Sequence, residues 1–358
     1  MTAASRVIGV LWVVAVLAGP AAQANRSDEP GTVVMQAFEL RMAGQVDEAK
    51  RLLETAVDAN RADAAVQFEL ARVRFYTIFT NTDGVNLGPA QKAIEKAIAI
   101  DGDNPRYHFW AGKIATYYGI QKMHGVLSRL EMPGQMNKAI KSFERAVALQ
   151  PDFHEARVDL MGLYDRLPWF AGGNKSKARQ QLHKLEQLDP VYGAKARCEI
   201  QPRKTSAEKI AIWQKVVDAH PDNAGAHAGL AGAYMQNDGA QAADTQYAVD
   251  HLNRAIELDA SYCTELLNLA RYYAQAREHD KAEKAIRRFV NFDPAPPVAL
   301  RANGLRQLAR IKKAQQKPDE AKALQAEADD RRNGRFTRCP RQTSTRLRSN
   351  HYDREGLP

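Results

Sequence analysis

Cysteine is scarce in this chain, with three among 358 residues, and none of the three has the Cys-x-x-Cys spacing of a zinc or redox site. The sequence also lacks a His-Glu-x-x-His motif, a Gly-x-Ser-x-Gly motif and a phosphate-binding glycine loop. Its nine histidines never stand four residues apart, so no predicted helix presents two imidazoles on one face. We therefore predict a protein that is not an enzyme and that has no catalytic residue, metal or cofactor.

Long apolar stretches are absent after the N-terminus. Arg6 precedes the apolar run 7–17, and Ala22-Gln23-Ala24 follows it with the small-x-small pattern of a cleavage site. An uncleaved membrane anchor is the alternative, but these eleven residues are far fewer than the roughly 20 that a bilayer requires. We expect residues 1–24 to be a signal peptide that is cleaved after Ala24. The mature protein would then be exported to the periplasm, with no transmembrane segment.

The net charge of +9 is concentrated at the C-terminus. Residues 331–358 contain eight arginines against Asp353 and Glu355, and residues 25–330 retain a net charge of only +2. Because phosphate binding needs a basic stripe, we expect no nucleic-acid partner. Residues 332–358, which include Cys339, are predicted to be a basic, disordered tail. This tail is either solvated or in contact with an acidic partner or an anionic membrane.

A spacing of small and large apolar residues recurs along the chain. In its fullest copy, Ala139 is followed by Phe143 after four residues, by Ala146 after three more and by Pro151 after five more. Small residues let two helices approach closely, and proline ends a helix. Partial copies begin at Ala49, Ala90, Ala178, Ala248 and Ala282, and a degenerate copy surrounds Trp213. A Leu-small-x-x-Tyr pattern precedes or follows several copies, at residues 160–164, 230–234 and 269–273.

These patterns resemble the tetratricopeptide repeat (TPR) family, whose 34-residue unit is a pair of antiparallel helices. The resemblance implies an all-α, right-handed superhelix of about eight helical hairpins over residues 25–331. It places Cys198 and Cys263 in separate hairpins, beyond the roughly 7 Å reach of a disulfide. Most intervals between copies exceed the family's unit, and the excess falls in residues 77–88, 118–135, 167–174 and 236–244. Insertions on one side of such an array often form a binding face.

One of these insertions carries a more specific resemblance. Residues 167–178 are similar to the Pro-x-Phe-x-Gly-Gly turn of a group of bacterial exported TPR proteins. Pro168 is expected to end a helix, Gly172-Gly173 to permit positive φ angles, and Asn174 to cap the next helix. The exposed pair Trp169 and Phe170 is either a structural part of this turn or a partner contact.

The resemblance also implies which side chains line the concave surface of the array. The corresponding first-helix positions, together with the turn, give a predicted partner-binding set of Arg106, Phe109, Trp110, Lys113, Asp165, Trp169, Phe170, Asn268 and Arg271, with Glu155, Val158 and Leu267 beside them. This aromatic and basic lining suits a peptide or helix that offers carboxylates and an apolar anchor. The Lys-Asn-Asn-Lys-Arg set of carboxylate-clamp TPRs is not reproduced. The alternative for Phe109 and Trp110 is that they pack between helices.

The function that these features favour is an exported, non-catalytic adaptor. It would bind a protein or peptide partner through its concave groove and its insertion loops. The alternative is a component that handles a small ligand beside a transporter. That alternative would be favoured by a closed pocket of Phe109, Trp110, Tyr117 and Tyr118, with Arg106 or Lys113 pointing inward.

Overall fold

The structure, a computed structural model, describes residues 30–42, 45–59, 63–80, 86–121, 130–200, 203–236, 242–293 and 298–332. Over these residues the chain is an all-α superhelical repeat with sixteen α-helices and no strand. No helix in this part is long and apolar enough to cross a membrane. The predicted signal peptide and the basic tail with Cys339 lie outside the described residues, as do residues 81–85, 122–129 and 237–241 of three predicted insertions.

Successive helices pair into hairpins, and the hairpins stack along the chain. In the first half the helices are α1 (Pro30–Met42), α2 (Val46–Asp58), α3 (Ala64–Thr80), α4 (Gly88–Ile100), α5 (Pro105–Gln121), α6 (Met132–Leu149), α7 (His154–Arg166) and α8 (Lys175–Leu188). In the second half they are α9 (Pro190–Glu199), α10 (Ser206–Ala219), α11 (Ala224–Met235), α12 (Ala242–Leu258), α13 (Glu265–Gln275), α14 (His279–Val290), α15 (Val298–Ala314) and α16 (Pro318–Arg332).

The predicted spacing of small and large residues forms the contact between the two helices of each hairpin. Ala139, Phe143 and Ala146 are all buried on α6, where Phe143 packs directly over Gly112 of α5. A Cβ atom on Gly112 would lie 2.6 Å from that ring, so this close approach depends on glycine. The corresponding residues of α4, α12 and α14 are buried in the same way, which confirms the predicted register.

The fifth hairpin is the least regular. Its two helices, α9 and α10, contact each other less than they contact their outer neighbours. Helix α9 packs mainly on α8, and α10 packs mainly on α11. Trp213 of α10 is buried in a small apolar cluster with residues of α9 and α11. This cluster lies between a large core that extends from α1 to α9 and another that extends from α11 to α16. The degenerate copy predicted around Trp213 is therefore a packing junction between two cores.

The turn between α7 and α8 has the predicted geometry. A short 3₁₀ helix, Trp169–Ala171, follows Pro168, and Gly172 has a φ of 95°, which favours glycine. Asn174 accepts a hydrogen bond from the Lys177 amide at 3.0 Å, and it caps α8 as predicted. Two helices extend into the insertions predicted after them. Helix α3 ends at Thr80, within the predicted insertion 77–88, and α5 ends at Gln121, within the predicted insertion 118–135.

Candidate partner-binding groove

The first helices of the third to seventh hairpins form one side of the array, and a groove runs along them. It consists of three adjoining cavities of about 550, 360 and 830 Å³. The first two share Lys195 and Gly225, and the last two share Lys209 and Gly232. We call the cavities, in chain order, the acidic section, the middle section and the basic section of the groove.

Among the charged residues that line the acidic section, carboxylates outnumber the two lysines, Lys113 and Lys195. The carboxylates belong to Glu155, Asp159, Asp189, Asp222 and Asp259. Asp189 and Asp259 each lie at a helix start and accept backbone N–H groups of the next helix or 3₁₀ turn. Asp222 is paired with Arg254 at 2.9 Å, although its side chain remains largely exposed. Asp189 and Asp259 therefore cap helices and also contribute to the negative charge of this section.

Asp159 lies on the floor of the acidic section. Burial raises the pKa of this carboxyl above its ordinary value, while Lys113, Lys195 and Arg166 act in the opposite direction. Its Oδ2 atom is 3.4 Å from Lys113 Nζ, and its side chain is still 35% exposed to water. Protein surrounds the group on most sides, but the groove leaves it accessible to a partner.

The middle section has a floor of small residues. Gly225, Ala228, Gly229 and Gly232 follow one face of α11 at helical spacing and all line the groove. Trp213 packs beneath Gly229, where an added Cβ would lie 2.5 Å from the indole ring. An added Cβ on Gly232, in contrast, would have no heavy atom within 4 Å. The groove is therefore open above Gly232.

The basic section begins where α10 and α13 face each other. Lys204, Lys209 and Arg271 line it together with Glu265 and several neutral polar side chains. Arg271 donates to Asn268 at 3.1 Å, and Asn268 donates to Glu265 at 2.7 Å. Lys209 donates to Gln236 at 3.2 Å. These hydrogen bonds orient the cations and leave the section with a positive excess.

Six of the predicted concave residues line this groove. Phe109, Lys113, Glu155 and Val158 belong to the acidic section, and Asn268 and Arg271 belong to the basic section. The expected basic charge needs correction in the first section, where five carboxylates outnumber two lysines, although aromatic rings line it as well. Sequence reasoning missed Asp189, Asp222, Asp259, Lys195 and the glycines of α11. The sequence feature that could have indicated the acidic section is the aspartate that recurs just before a first helix.

Three predicted partner-binding residues are buried: Phe109, which borders the acidic section but is only 5% exposed, and Trp110 and Asp165, which do not line the groove. Trp110 is only 4% exposed, with Arg72 over its ring at 5.0 Å and Phe68 and Phe75 at its edges. Asp165 is 3% exposed and pairs with Lys175 at 2.9 Å. Their side chains are enclosed by the packing of neighbouring helices. We therefore leave Trp110 and Asp165 out of the proposed binding surface.

The remaining predicted residues lie outside the groove. The Arg106 guanidinium is half-buried and lies 5.8 Å from the Phe68 ring. Trp169 and Phe170 are 85% and 56% exposed on the turn between α7 and α8, with their rings in a T-shaped contact. This turn is a second exposed surface of the molecule, separate from the groove.

The predicted aromatic pocket is filled by its own rings. Phe109 packs against Phe143 and Phe153, with centroids 5.9 and 4.9 Å away. Tyr117 packs edge-on against Phe75 at 5.1 Å, beside Trp110. These contacts consolidate the core between hairpins.

Two histidines meet beside the groove, across α11 and α12. His227 Nδ1 and His251 Nδ1 are 2.9 Å apart, and His227 Nε2 is 2.8 Å from the Pro221 carbonyl oxygen. The contacts fix one tautomer, in which His227 donates from Nε2 and accepts from His251 at Nδ1. Burial and the neighbouring His227 lower the pKa of His251, and Asp250 opposes them. No group of three metal-ligating side chains occurs in the described ranges.

Comparisons with known proteins give one family match. Residues 134–153, from α6 to the residue before α7, match the model of the tetratricopeptide repeat. No curated protein sequence matches the chain. Among solved structures, the chain is similar to the human IFIT1 dimer with m7Gppp-AAAA, at 16% identity over 84% of this chain and 76% of that chain, with a TM-score of 0.43.

Two further structures have lower TM-scores. A tetratricopeptide repeat protein from Parabacteroides merdae is 13% identical over 83% of this chain and 91% of that chain, with a TM-score of 0.38. MamA is 19% identical over 59% of this chain and 96% of that chain, with a TM-score of 0.28. The match thus covers one tetratricopeptide repeat within an array of stacked helical hairpins, and a repeat scaffold of this kind suits a protein-interaction adaptor.

Proposed function

We propose that this protein is an exported, non-catalytic adaptor that holds an extended segment of a partner protein in its concave groove. The observation that carries the proposal is the continuity of the groove across the first helices of five successive hairpins. Neighbouring helices lie about 8–10 Å apart, so the groove is on the order of 30–40 Å long. An extended chain advances about 3.3 Å per residue, and roughly ten residues would fill the groove.

The lining of the groove also suits a peptide. It combines charged groups for orientation, hydroxyls such as Tyr192 and Tyr262, and a small-residue floor that can receive an apolar side chain. The small-ligand alternative called for a closed aromatic pocket, and the rings predicted to form it pack on one another. We therefore prefer the adaptor to the transporter-associated component.

Photo-crosslinking tests the proposed binding surface. A photoreactive residue at Lys195, which is exposed within the groove, is compared with one at Lys184, which is exposed on α8 outside the groove. We expect the first position to capture a defined protein from the exported fraction, and a synthetic segment of that protein to compete for capture. Equal capture at both positions, or capture that the segment does not reduce, would contradict groove binding.

The Trp169–Phe170 turn is the second candidate contact, because its rings are the most exposed aromatic pair in the described part of the chain. A third photoreactive position at Trp169 tests it. Capture at Trp169 but not at Lys195 would move the binding surface to this turn.

Export is a separate element of the proposal and rests on the sequence of residues 1–24. We expect the mature protein to begin at Asn25 in the periplasmic fraction. The mass of the intact protein measures this directly, and a chain that retains Met1 in the cytoplasmic fraction would refute export.

A further inference from the structure

We infer that the groove is polarised and that its partner segment carries a cationic block, a central apolar side chain and an anionic block in that spatial order. This inference rests on the proposed function and adds the chemistry of the partner. It is drawn from the charges that line the two ends of the groove, which differ in sign.

The acidic section favours cationic side chains. Its carboxylates outnumber its lysines, and one of the lysines, Lys113, is already paired with Asp159. The Tyr192 hydroxyl donates to Glu155, which fixes that carboxylate toward the groove. A lysine or arginine of the partner would find several acceptors here without displacing the helix caps at Asp189 and Asp259, which use one oxygen each.

The basic section favours anionic side chains. Lys204, Lys209 and Arg271 outnumber Glu265, and Arg271 is exposed. Arg271 and Lys209 form their described hydrogen bonds with neutral amides, so an incoming carboxylate would not compete with an ion pair at these contacts. A partner carboxylate at this end would gain charge-assisted hydrogen bonds.

The middle section separates the two charged ends and accepts an apolar side chain. Its floor of glycine and alanine on α11 is bordered by the Trp213 and Tyr262 rings. The floor itself carries no charge, and the charged residues at its sides are balanced, with Lys195 and Lys209 against Glu199 and Glu265. Burying an apolar side chain on this floor anchors the segment. A partner segment with scattered charges of both signs would place some of its charges next to groove residues of the same sign. The polarised groove therefore selects against such a segment.

The test compares synthetic peptides of identical composition binding to the mature protein. Two twelve-residue peptides carry a lysine block, a central leucine pair and a glutamate block, one in each chain direction. A third peptide alternates lysine and glutamate around the same leucines. We expect one block peptide to bind on the order of tenfold more tightly than the alternating peptide at low salt, and the difference to shrink as salt is raised.

Charge reversal provides the second measurement. The double variant Lys209→Glu with Arg271→Glu should lose roughly tenfold in affinity for the preferred block peptide and should now prefer an all-lysine version. The matched control, Lys184→Glu with Lys284→Glu, makes the same charge change at exposed positions outside the groove and should leave the preference unchanged.

The outcomes separate the two proposals. If groove capture at Lys195 succeeds but block and alternating peptides bind equally, the polarity is refuted and the adaptor function stands. If no peptide binds and Lys195 captures nothing, both are refuted. If both double variants lose affinity equally, the effect is one of net charge, which also overturns the polarity.

Discussion

The first helices of hairpins one to three and those of hairpins four to seven belong to the same repeat architecture, but their side chains differ in size. Arg41, Glu69, Arg72 and Trp110 fill the space between the first helices at the N-terminal end. On α11, small residues such as Gly232 leave the corresponding space open. The fold therefore creates a space between neighbouring first helices. Large side chains fill this space, and small side chains leave it available for binding.

The closed region depends on a buried ionic network. Glu69 accepts from Arg41 at 2.7 Å and from Arg72 at 3.3 Å, and all three side chains are nearly inaccessible to water. The two guanidinium groups also lie over aromatic rings, with Arg41 4.9 Å from the Tyr76 centroid. Charges this deep need their partners, because each is costly to bury alone.

The largest expected effect comes from breaking this network. Glu69→Ala should destabilise the protein by about 3–5 kcal/mol, because two buried guanidinium groups lose their carboxylate. Urea unfolding measures the loss. Glu95→Ala is the matched control, since Glu95 forms a half-exposed pair with Lys138, and it should cost about 0–1 kcal/mol. Similar losses in the two variants would show that the closed region does not depend on its ions.

A pair of glycine substitutions compares the two regions directly. Gly112→Ala should cost about 1–3 kcal/mol, because its Cβ would press on the buried Phe143 ring at 2.6 Å. Gly232→Ala should instead stabilise by about 0.4–1 kcal/mol, since its Cβ meets open space and alanine favours the helix. Thermal unfolding of both variants tests the contrast in sign. The contrast would be lost if both changes destabilised the protein.

At the boundary of the two regions, Glu144 should make stability depend on acid pH. Burial acts to raise the pKa of Glu144, but hydrogen bonds from Tyr164 and Lys177 outweigh it and hold the pKa below 4.5. As the pH falls, Glu144 is therefore protonated at a lower pH in the folded protein than in the unfolded chain. Its contribution to the free energy of unfolding is complete above about pH 4.5 and is lost as the pH falls through the folded pKa. Urea midpoints between pH 6 and 3 should show a shallower fall for Glu144→Gln than for the unmodified protein.

In the same cluster, burial and the Glu144 carboxylate raise the pKa of Tyr164 to about 12, so this side chain ionises at a higher pH than an ordinary tyrosine. The ionisation of Tyr164 can be measured by spectroscopic titration, as the signal of the unmodified protein minus that of the Tyr164→Phe variant. This difference should show no ionisation below about pH 11. An ordinary pKa near 10 would contradict the hydrogen bond to Glu144.

The smallest expected effect belongs to the histidine pair beside the groove. The lowered pKa of His251 means that the unfolded chain takes up a proton first, so stability should fall as the pH drops from 6.5 through the folded pKa. His251→Asn should reduce this fall, measured by urea midpoints between pH 7 and 5. An unchanged slope would show that the pair contributes nothing to the pH dependence.

The fold was predictable because helix packing leaves a regular record in the sequence. The spacing of Ala139, Phe143 and Ala146 specifies a hairpin contact, and Asn174 specifies a helix start, so both could be identified without coordinates. Local chemistry determines each of these features.

The binding surface was harder to predict because it depends on how neighbouring hairpins approach. Trp110 occupies a first-helix position that the repeat pattern assigns to the concave side, but Arg72 and Phe75 of the preceding hairpin enclose it. Asp189 and Asp222 precede their helices and fall outside the repeat positions used for prediction. Two of the five carboxylates of the acidic section, Asp189 and Asp259, are cap residues whose sequence role is to start a helix.

The most direct test of groove binding is to fill the groove without disturbing the core. Gly232→Leu places a side chain in the open middle section, and Gly134→Leu makes the same change on α6, also where an added Cβ meets nothing within 4 Å. Both variants are to be measured for partner capture by a photoreactive residue at Lys195. Groove binding predicts that Gly232→Leu abolishes capture while Gly134→Leu preserves it. Full capture by a folded Gly232→Leu protein would contradict it.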